Sequence, residues 1–235
     1  MALPKLDQPT YTLTVPSTGN EITYRPFVVK EEKILMMAQE DGSTGAISQA
    51  TKQVIGNCLV SGELDVERLA SCDIEWIFLH LRARSVGETV DLTIPCEECD
   101  TKVEFTINVN DAVVHRDKVV DPKIELTPEV GIVLRLPEVN DMTNLNSEGN
   151  ELDDIFKLIA LCTESIYDAD NIYTRKDVSL AEIEEWIQSL SQEQFTAIRE
   201  FFDSIPKVKL TTDIVCPKCS HQREIVLEGL RSFFS

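Results

Sequence analysis

Four of the seven cysteines in this chain fall into two Cys-x-x-Cys pairs, Cys96 with Cys99 and Cys216 with Cys219. Two thiols at that spacing can converge on one metal ion from a tight turn. Two such turns supply four soft ligands, the donor set that suits tetrahedral zinc. Each pair lies between segments of period-two patterning. Thr89-Val90-Asp91-Leu92-Thr93-Ile94 precedes the first and Lys102 to Val109 follows it. Lys207 to Val215 precedes the second and Gln222 to Leu227 follows it. Each pair is therefore expected at the tip of a β-hairpin. Cys96, Cys99, Cys216 and Cys219 are the expected ligands of one structural Zn2+ that closes the long stretch of chain between the pairs.

Three other readings compete. A redox dithiol is expected in a βαβ setting, and here no helix follows either pair. A catalytic zinc keeps an open coordination position, which four cysteines do not leave. The third, two unrelated pairs of buried cysteines, sets aside the matching strand context. His221, two residues after Cys219, either supports the site from its periphery, replaces a ligand, or faces solvent. Cys58, Cys72 and Cys162 stand singly in apolar surroundings and are expected to be buried small hydrophobes.

Nothing comparable argues for catalysis. There is no clustered-glycine phosphate loop, no Gly-x-Ser-x-Gly and no His-Glu-x-x-His. Acidic pairs such as Glu31-Glu32, Asp153-Asp154 and Glu184-Glu185 are expected on solvated helix faces. His80 and His115 have no nucleophile beside them. The expectation is a protein that is not an enzyme.

Charge narrows the partners. The chain has 22 basic and 41 acidic residues, a net charge of −19. Nucleic acid and anionic membranes require a basic patch, and the Lys and Arg residues are scattered singly. No run approaches the roughly 20 apolar residues that span a bilayer. The first residues lack the apolar core of a secretory signal, so synthesis in the cytosol is expected.

The elements that must position the cysteines can be placed by pattern. A hairpin is expected over 10–26, a helix over 30–41 stopped at Asp41-Gly42, and a helix over 44–60. A short turn follows at 64–69, then a helix over 74–85 with Asp73 as its N-cap. Beyond the first cysteine pair come strands over 123–126 and 131–136 and a surface loop over 140–150. Next is a helix marked by Leu152, Ile155, Phe156, Ile159 and Cys162. Capping-box patterns at Ser179 to Glu182 and Ser191 to Gln194 open two more. The expected fold is α+β: β-hairpins, a split zinc-ribbon-like four-cysteine element, and helical groups over about 30–85 and 152–204. The expected division is 1–110, an inserted part over 111–206, and 207–235 closing onto the first knuckle. Trp76 and Trp186 are core candidates first and contact candidates second. Strand, Cys-x-x-Cys, strand is the one self-similarity.

The opening, Leu3-Pro4-Lys5-Leu6, then Pro9 to Gly19 and Ile22 to Lys33, resembles the baseplate hub proteins of contractile-tailed bacteriophages. Asp73 to Glu88, with Leu81-Arg82-Ala83-Arg84-Ser85-Val86-Gly87-Glu88, is similar to that family too, as is the nearby Cys-x-x-Cys. The resemblance is strongest over the first 110 residues or so. It implies a viral protein made in the host bacterial cytoplasm, serving the tail baseplate hub as a component or as a chaperone-like assembly factor. Its implied partners are other hub proteins and the tape measure protein. The rival reading is a zinc-ribbon regulator acting on the transcription machinery or nucleic acid. A basic stripe at a knuckle would favour it, whereas Cys96-Glu97-Glu98-Cys99-Asp100 is acidic.

Overall fold

The computed structural model describes residues 6–116, 120–143, 145 and 151–229. The chain forms two compact units. One comprises residues 1–115 together with 206–235, the other residues 116–205. Helices and small antiparallel sheets mix in both, an α+β protein.

The first unit opens with strands β1 (Tyr11–Thr14) and β2 (Glu21–Tyr24), antiparallel across a turn whose Gly19 has φ +73°. Helix α1 (Val29–Asp41) follows and ends where Gly42 turns left-handed, its N–H bonded to the Ala38 carbonyl. Helix α2 (Thr44–Cys58) is capped by Ser43, whose hydroxyl accepts from the Ala46 N–H. It ends earlier than its apolar pattern implies. Leu59-Val60-Ser61 leave it as strand β3 (Leu59–Ser61), which pairs with β2. Edge pairing overrides helix periodicity there, because β2 would otherwise leave backbone groups unbonded. A single 3-10 turn at Val66–Arg68 leads to α3 (Ser71–Ser85).

Helix α3 begins earlier than expected, with Ala70 at its N-cap. Asp73 sits one turn in, and its carboxylate accepts from the Ser17 backbone N–H (2.9 Å) and from the Ser17 hydroxyl. That carboxylate ties the helix to the first hairpin instead of capping it. Strands β4 (Thr89–Pro95) and β5 (Lys102–Asn108) form the first long hairpin. Strand β6 (Val113–His115) places His115 in a sheet, opposite Lys207, where a connecting segment was expected.

The second unit holds β7 (Lys123–Glu125) and β8 (Gly131–Leu134), then the short helix α4 (Val139–Thr143) in place of the first part of the expected loop. The rest of that loop, apart from Leu145, lies outside the described residues. Helix α5 (Glu151–Cys162) runs into β9 (Thr163–Tyr167), which pairs with β8 and with β10 (Ile172–Thr174). The sheet order is β10-β9-β8-β7. Its apolar face, with Ile124, Ile132 and Ile166, packs with Ile159, Ile183, Ile187, Ile198 and Phe201 from the helices. Helices α6 (Leu180–Gln188) and α7 (Gln192–Asp203) both open with the expected capping boxes. The Ser179 N–H donates to Glu182 at 2.8 Å and the Ser191 N–H to Gln194 at 2.9 Å.

The chain then completes the first unit. Strand β11 (Lys207–Val215) pairs on one side with β12 (Gln222–Glu228) and on the other with β6. Val208 and Leu210 of β11 join Leu79 and Ala83 of α3 and Val90, Leu92 and Ile107 of the first long hairpin in one core. Trp76 packs half-buried against that core, and Trp186 does the same in the second unit. Among the described residues no helix is long and apolar enough to cross a membrane.

Candidate metal centre

The two cysteine pairs sit at the tips of the two long hairpins of the first unit. In the first, the Cys96 N–H donates to the Thr101 carbonyl (2.9 Å) and the Asp100 N–H to the Cys96 carbonyl (2.9 Å). In the second, Cys216 N–H donates to the His221 carbonyl (2.8 Å) and Ser220 N–H to the Cys216 carbonyl (2.9 Å). Asp100 and Ser220 adopt left-handed backbone, φ 55° and 60°. That conformation turns the chain from the second cysteine back into the returning strand, where the Thr101 and His221 carbonyls accept from the first cysteine's N–H, and Asp accepts it more readily than most residues.

The hairpins bring all four thiols together. Their sulfurs lie within 4.8 Å of one another. Cys96 Sγ is 3.6 Å from Cys219 Sγ, and Cys99 Sγ is 3.6 Å from Cys216 Sγ. A tetrahedron with zinc–sulfur bonds of about 2.3 Å has edges of about 3.8 Å. The four sulfurs therefore match the donor set and scale of a zinc site. Cys96 and Cys216 are buried with Val103 and Ile214, Cys99 is half-exposed, and Cys219 is exposed. Arg223 of β12 reaches across to the first knuckle, where it pairs with the Glu97 carboxylate and its Nη2 donates to the Pro95 carbonyl (3.4 Å).

Hydrogen bonds prepare the thiols unequally. The Thr101 hydroxyl, 3.3 Å from Cys99 Sγ, and the Thr101 N–H draw the Cys99 thiol down to about 6. The N–H groups of Cys219 and Lys218 lower Cys216. Cys219 accepts from the His221 N–H, which lowers it, yet local desolvation within the cluster and hydrogen bonds with the neighbouring thiols push it up to about 12. The hydrogen bonds thus shift the clustered thiols in opposite directions, and a bound cation would offset the negative charge of four crowded thiolates.

The other cysteines are buried apart. Burial pushes Cys58 up to about 11 and Cys162 up to about 12, which keeps both protonated and inert. His221 contributes its backbone to the turn. His80 Nδ1–H donates to the Trp76 carbonyl 2.9 Å away, within its own helix.

Two buried ion pairs escape a reading by pattern. Glu31, expected on a solvated face, is fully buried, and Arg25 Nη2 donates to it at 3.1 Å. Arg135 grips Asp141 with two bonds, 2.6 and 3.0 Å. An Arg with a proline one or two residues on (Pro26, Pro137) and an acid six residues on at a helix start is the available signal. A half-open cavity of about 380 Å³ in the second unit is lined by Tyr167, Tyr173 and Trp186 among others, and by none of the clustered cysteines.

A family model described as T4 bacteriophage base plate protein matches residues 8–235. The chain belongs to that family. The match spans both knuckles and both compact units, so the four-cysteine cluster lies wholly within the baseplate-family region. The chain matches no curated protein and no solved structure. Membership gives this baseplate protein a structural or assembly role in a phage tail, in company with other baseplate proteins.

Proposed function

We propose that this baseplate protein serves the central hub of the tail, as a hub component or as a chaperone-like factor that assembles it. It acts through protein–protein contacts on a scaffold held by one structural Zn2+ at Cys96, Cys99, Cys216 and Cys219. The convergence of four sulfurs within 4.8 Å from knuckles far apart in the chain carries the zinc reading. The hub reading draws on the resemblance of residues 3–33 and 73–88 to hub proteins, within the wider family match. Its partners are other hub proteins and the tape measure protein. It works in the host bacterial cytoplasm during assembly and in the virion baseplate if it is retained.

The same reading treats residues 111–206 as a part carried between the two knuckles, and 207–235 as the segment that closes onto the first. The joining of residues 206–235 to residues 1–115 in one unit supports it. When bound, the zinc supplies charge neutralisation and a fixed tetrahedral geometry, with no open position for chemistry. The residues themselves set the two turns and exclude water from Cys96 and Cys216.

The test is metal content of the purified chain by mass spectrometry, in wild type, Cys96→Ser and Cys216→Ser. One zinc per chain, lost with either substitution, supports the site. A metal-free wild type, or zinc retained by both variants, ends it. For the hub role, infection with phage lacking the gene should yield tails stopped before a complete hub, rescued by the wild-type gene. Complete hubs without the protein would overturn that role, and protein analysis of purified virions separates component from assembly factor.

A further inference from the structure

Two distant parts of the chain repeat one set of contacts. Arg25, just after β2, donates from Nη1 to the Pro26 carbonyl (2.9 Å) and from Nη2 to the Asn57 carbonyl (3.0 Å). Its backbone N–H donates to the Cys58 carbonyl (2.9 Å). Arg135, just after β8, donates from Nη1 to the Leu136 carbonyl (3.1 Å) and from Nη2 to the Leu161 carbonyl (3.0 Å). Its backbone N–H donates to the Cys162 carbonyl (2.8 Å).

The acids correspond as well. Glu31 and Asp141 each stand six residues beyond the arginine and pair with it. Each also accepts from the N–H three residues before it, Val28 at 3.0 Å and Glu138 at 2.8 Å. Cys58 and Cys162 each end a helix, and the strand that follows pairs antiparallel with the strand before the arginine. The register shifts at the same place in both pairs, Thr23/Tyr24 and Val133/Leu134.

The parallel continues to the knuckles. Asp73, third residue of α3, reaches the turn of the first hairpin at Ser17. Gln194, third residue of α7, reaches the turn of the second at the Leu126 carbonyl (3.3 Å). Each helix is followed by a long hairpin with a Cys-x-x-Cys tip, the same pair of turn hydrogen bonds and one left-handed residue after the second cysteine. The second part adds β10 and α6 between its short strand and its last helix.

Side-chain-to-backbone contacts of this kind depend on local path, and one path recurring through so many stations points to common descent. We infer that the chain is a tandem duplication of one module, residues 10–109 and 121–229, and that each knuckle is a self-complementary surface whose partner is the knuckle of the other copy. The cluster has the pattern a two-fold axis imposes: first cysteine to second, and second to first, at equal 3.6 Å separations. It is the one-chain form of a site that two single-module chains would share, two thiols from each. This rests on the geometry of the cluster and not on which metal fills it.

The experiment exchanges the knuckles in the full chain. Glu97-Glu98 and Asp100-Thr101 trade places with Pro217-Lys218 and Ser220-His221. Zn2+ affinity is measured against a chromogenic chelator, with far-ultraviolet circular dichroism to follow folding. Two-fold equivalence predicts a folded protein whose affinity changes by less than about tenfold, the lower bound for losing a supporting contact. A larger loss in a folded exchange variant overturns the proposal. If the exchange variant does not fold, or wild type holds no zinc, a crystal structure of wild type decides. Residues 89–108 must superpose on 209–228 by a rotation of about 180°, and the Arg25 and Arg135 contact sets must both be present. A knuckle pair unrelated by a two-fold, or either contact set missing, rejects the duplication whatever the fate of the zinc reading.

Discussion

Cys96 and Cys219 are 123 positions apart in the chain and 3.6 Å apart at their sulfurs. Two hairpins in register, β4 with β5 and β11 with β12, create that proximity. Their buried faces share one core with α3, so the knuckles are presented by packed strands and not by free loops. A metal at this point closes the chain against a long excursion, which is where closure stabilises most in principle.

Thiol reactivity separates the two classes of cysteine. With zinc bound, native protein should give almost no fast reaction with an aromatic disulfide reagent. After chelation the clustered thiols should become reactive in sequence, Cys99 first because it is half-exposed and its thiol is drawn down to about 6, and the raised Cys219 later. Cys58, Cys72 and Cys162 should react only on unfolding. Equal rates for all seven thiols in native protein would contradict this assignment.

Arg25→Ala and Arg135→Ala should each destabilise strongly. Each removes the partner of a buried carboxylate and strips two backbone carbonyls of their donor. Breaking one side of a buried pair costs about 3–5 kcal/mol. Urea denaturation would show it, and a loss below about 0.5 kcal/mol, typical of a surface change, would argue against these clasps.

Acid should weaken the first clasp. Burial pushes the Glu31 carboxyl up, but Arg25 and the Val28 N–H outweigh it and hold the carboxyl below its ordinary value. A carboxyl lowered in the fold stabilises above its unfolded pKa, and that contribution is lost as pH falls through the folded value. Glu31→Gln should therefore cost about 1–3 kcal/mol near neutral pH. The gap to wild type should begin to narrow as pH falls below the ordinary glutamate value of 4.5 and close as it passes through the lower folded value. A gap that widens in acid would reverse the assignment.

Gly131→Ala should destabilise the second unit without any change in backbone preference. A Cβ there would run into the Tyr167 hydroxyl and lie 2.6 Å from the Ile124 carbonyl oxygen. The tyrosine can turn away, whereas the carbonyl belongs to the paired strand β7 and cannot. Overpacking of this kind costs about 1–3 kcal/mol. Tyr167→Phe should not rescue it, because the backbone clash remains. Full rescue would show that the hydroxyl was the obstacle.

Removing the cap at Ser191 should cost about 0.5–2 kcal/mol in Ser191→Ala. The hydroxyl accepts from the Gln194 N–H, and Gln194 in turn bonds the Leu126 carbonyl, so cap and hairpin turn are linked through one side chain. Gln194→Ala should lose a similar amount. Thermal unfolding of both variants checks this, and an unchanged midpoint for Gln194→Ala would discount the link to the hairpin.

Local chemistry alone determined much of this protein. The left-handed stop at Gly42, the capping boxes at Ser179 and Ser191 and the two knuckle hairpins follow from nearest-neighbour rules, and the structure has them. The convergence of Cys96, Cys99, Cys216 and Cys219 was also legible, because repeated spacing in a repeated strand context leaves few alternatives. Other features needed partners distant in the chain. Asp73 looks like a helix cap until Ser17 arrives to take its carboxylate. Leu59 and Val60 continue a helical pattern until β2 offers an unpaired edge. Strands β9 and β10 carried too short a pattern to stand out, and β8 had to be present before they could pair. Glu31 looks solvated until Arg25 and the end of α2 close over it. In each case a local preference of about 1 kcal/mol yielded to a hydrogen-bonding group that burial would otherwise have left without a partner. Only the tertiary structure brings that group into place.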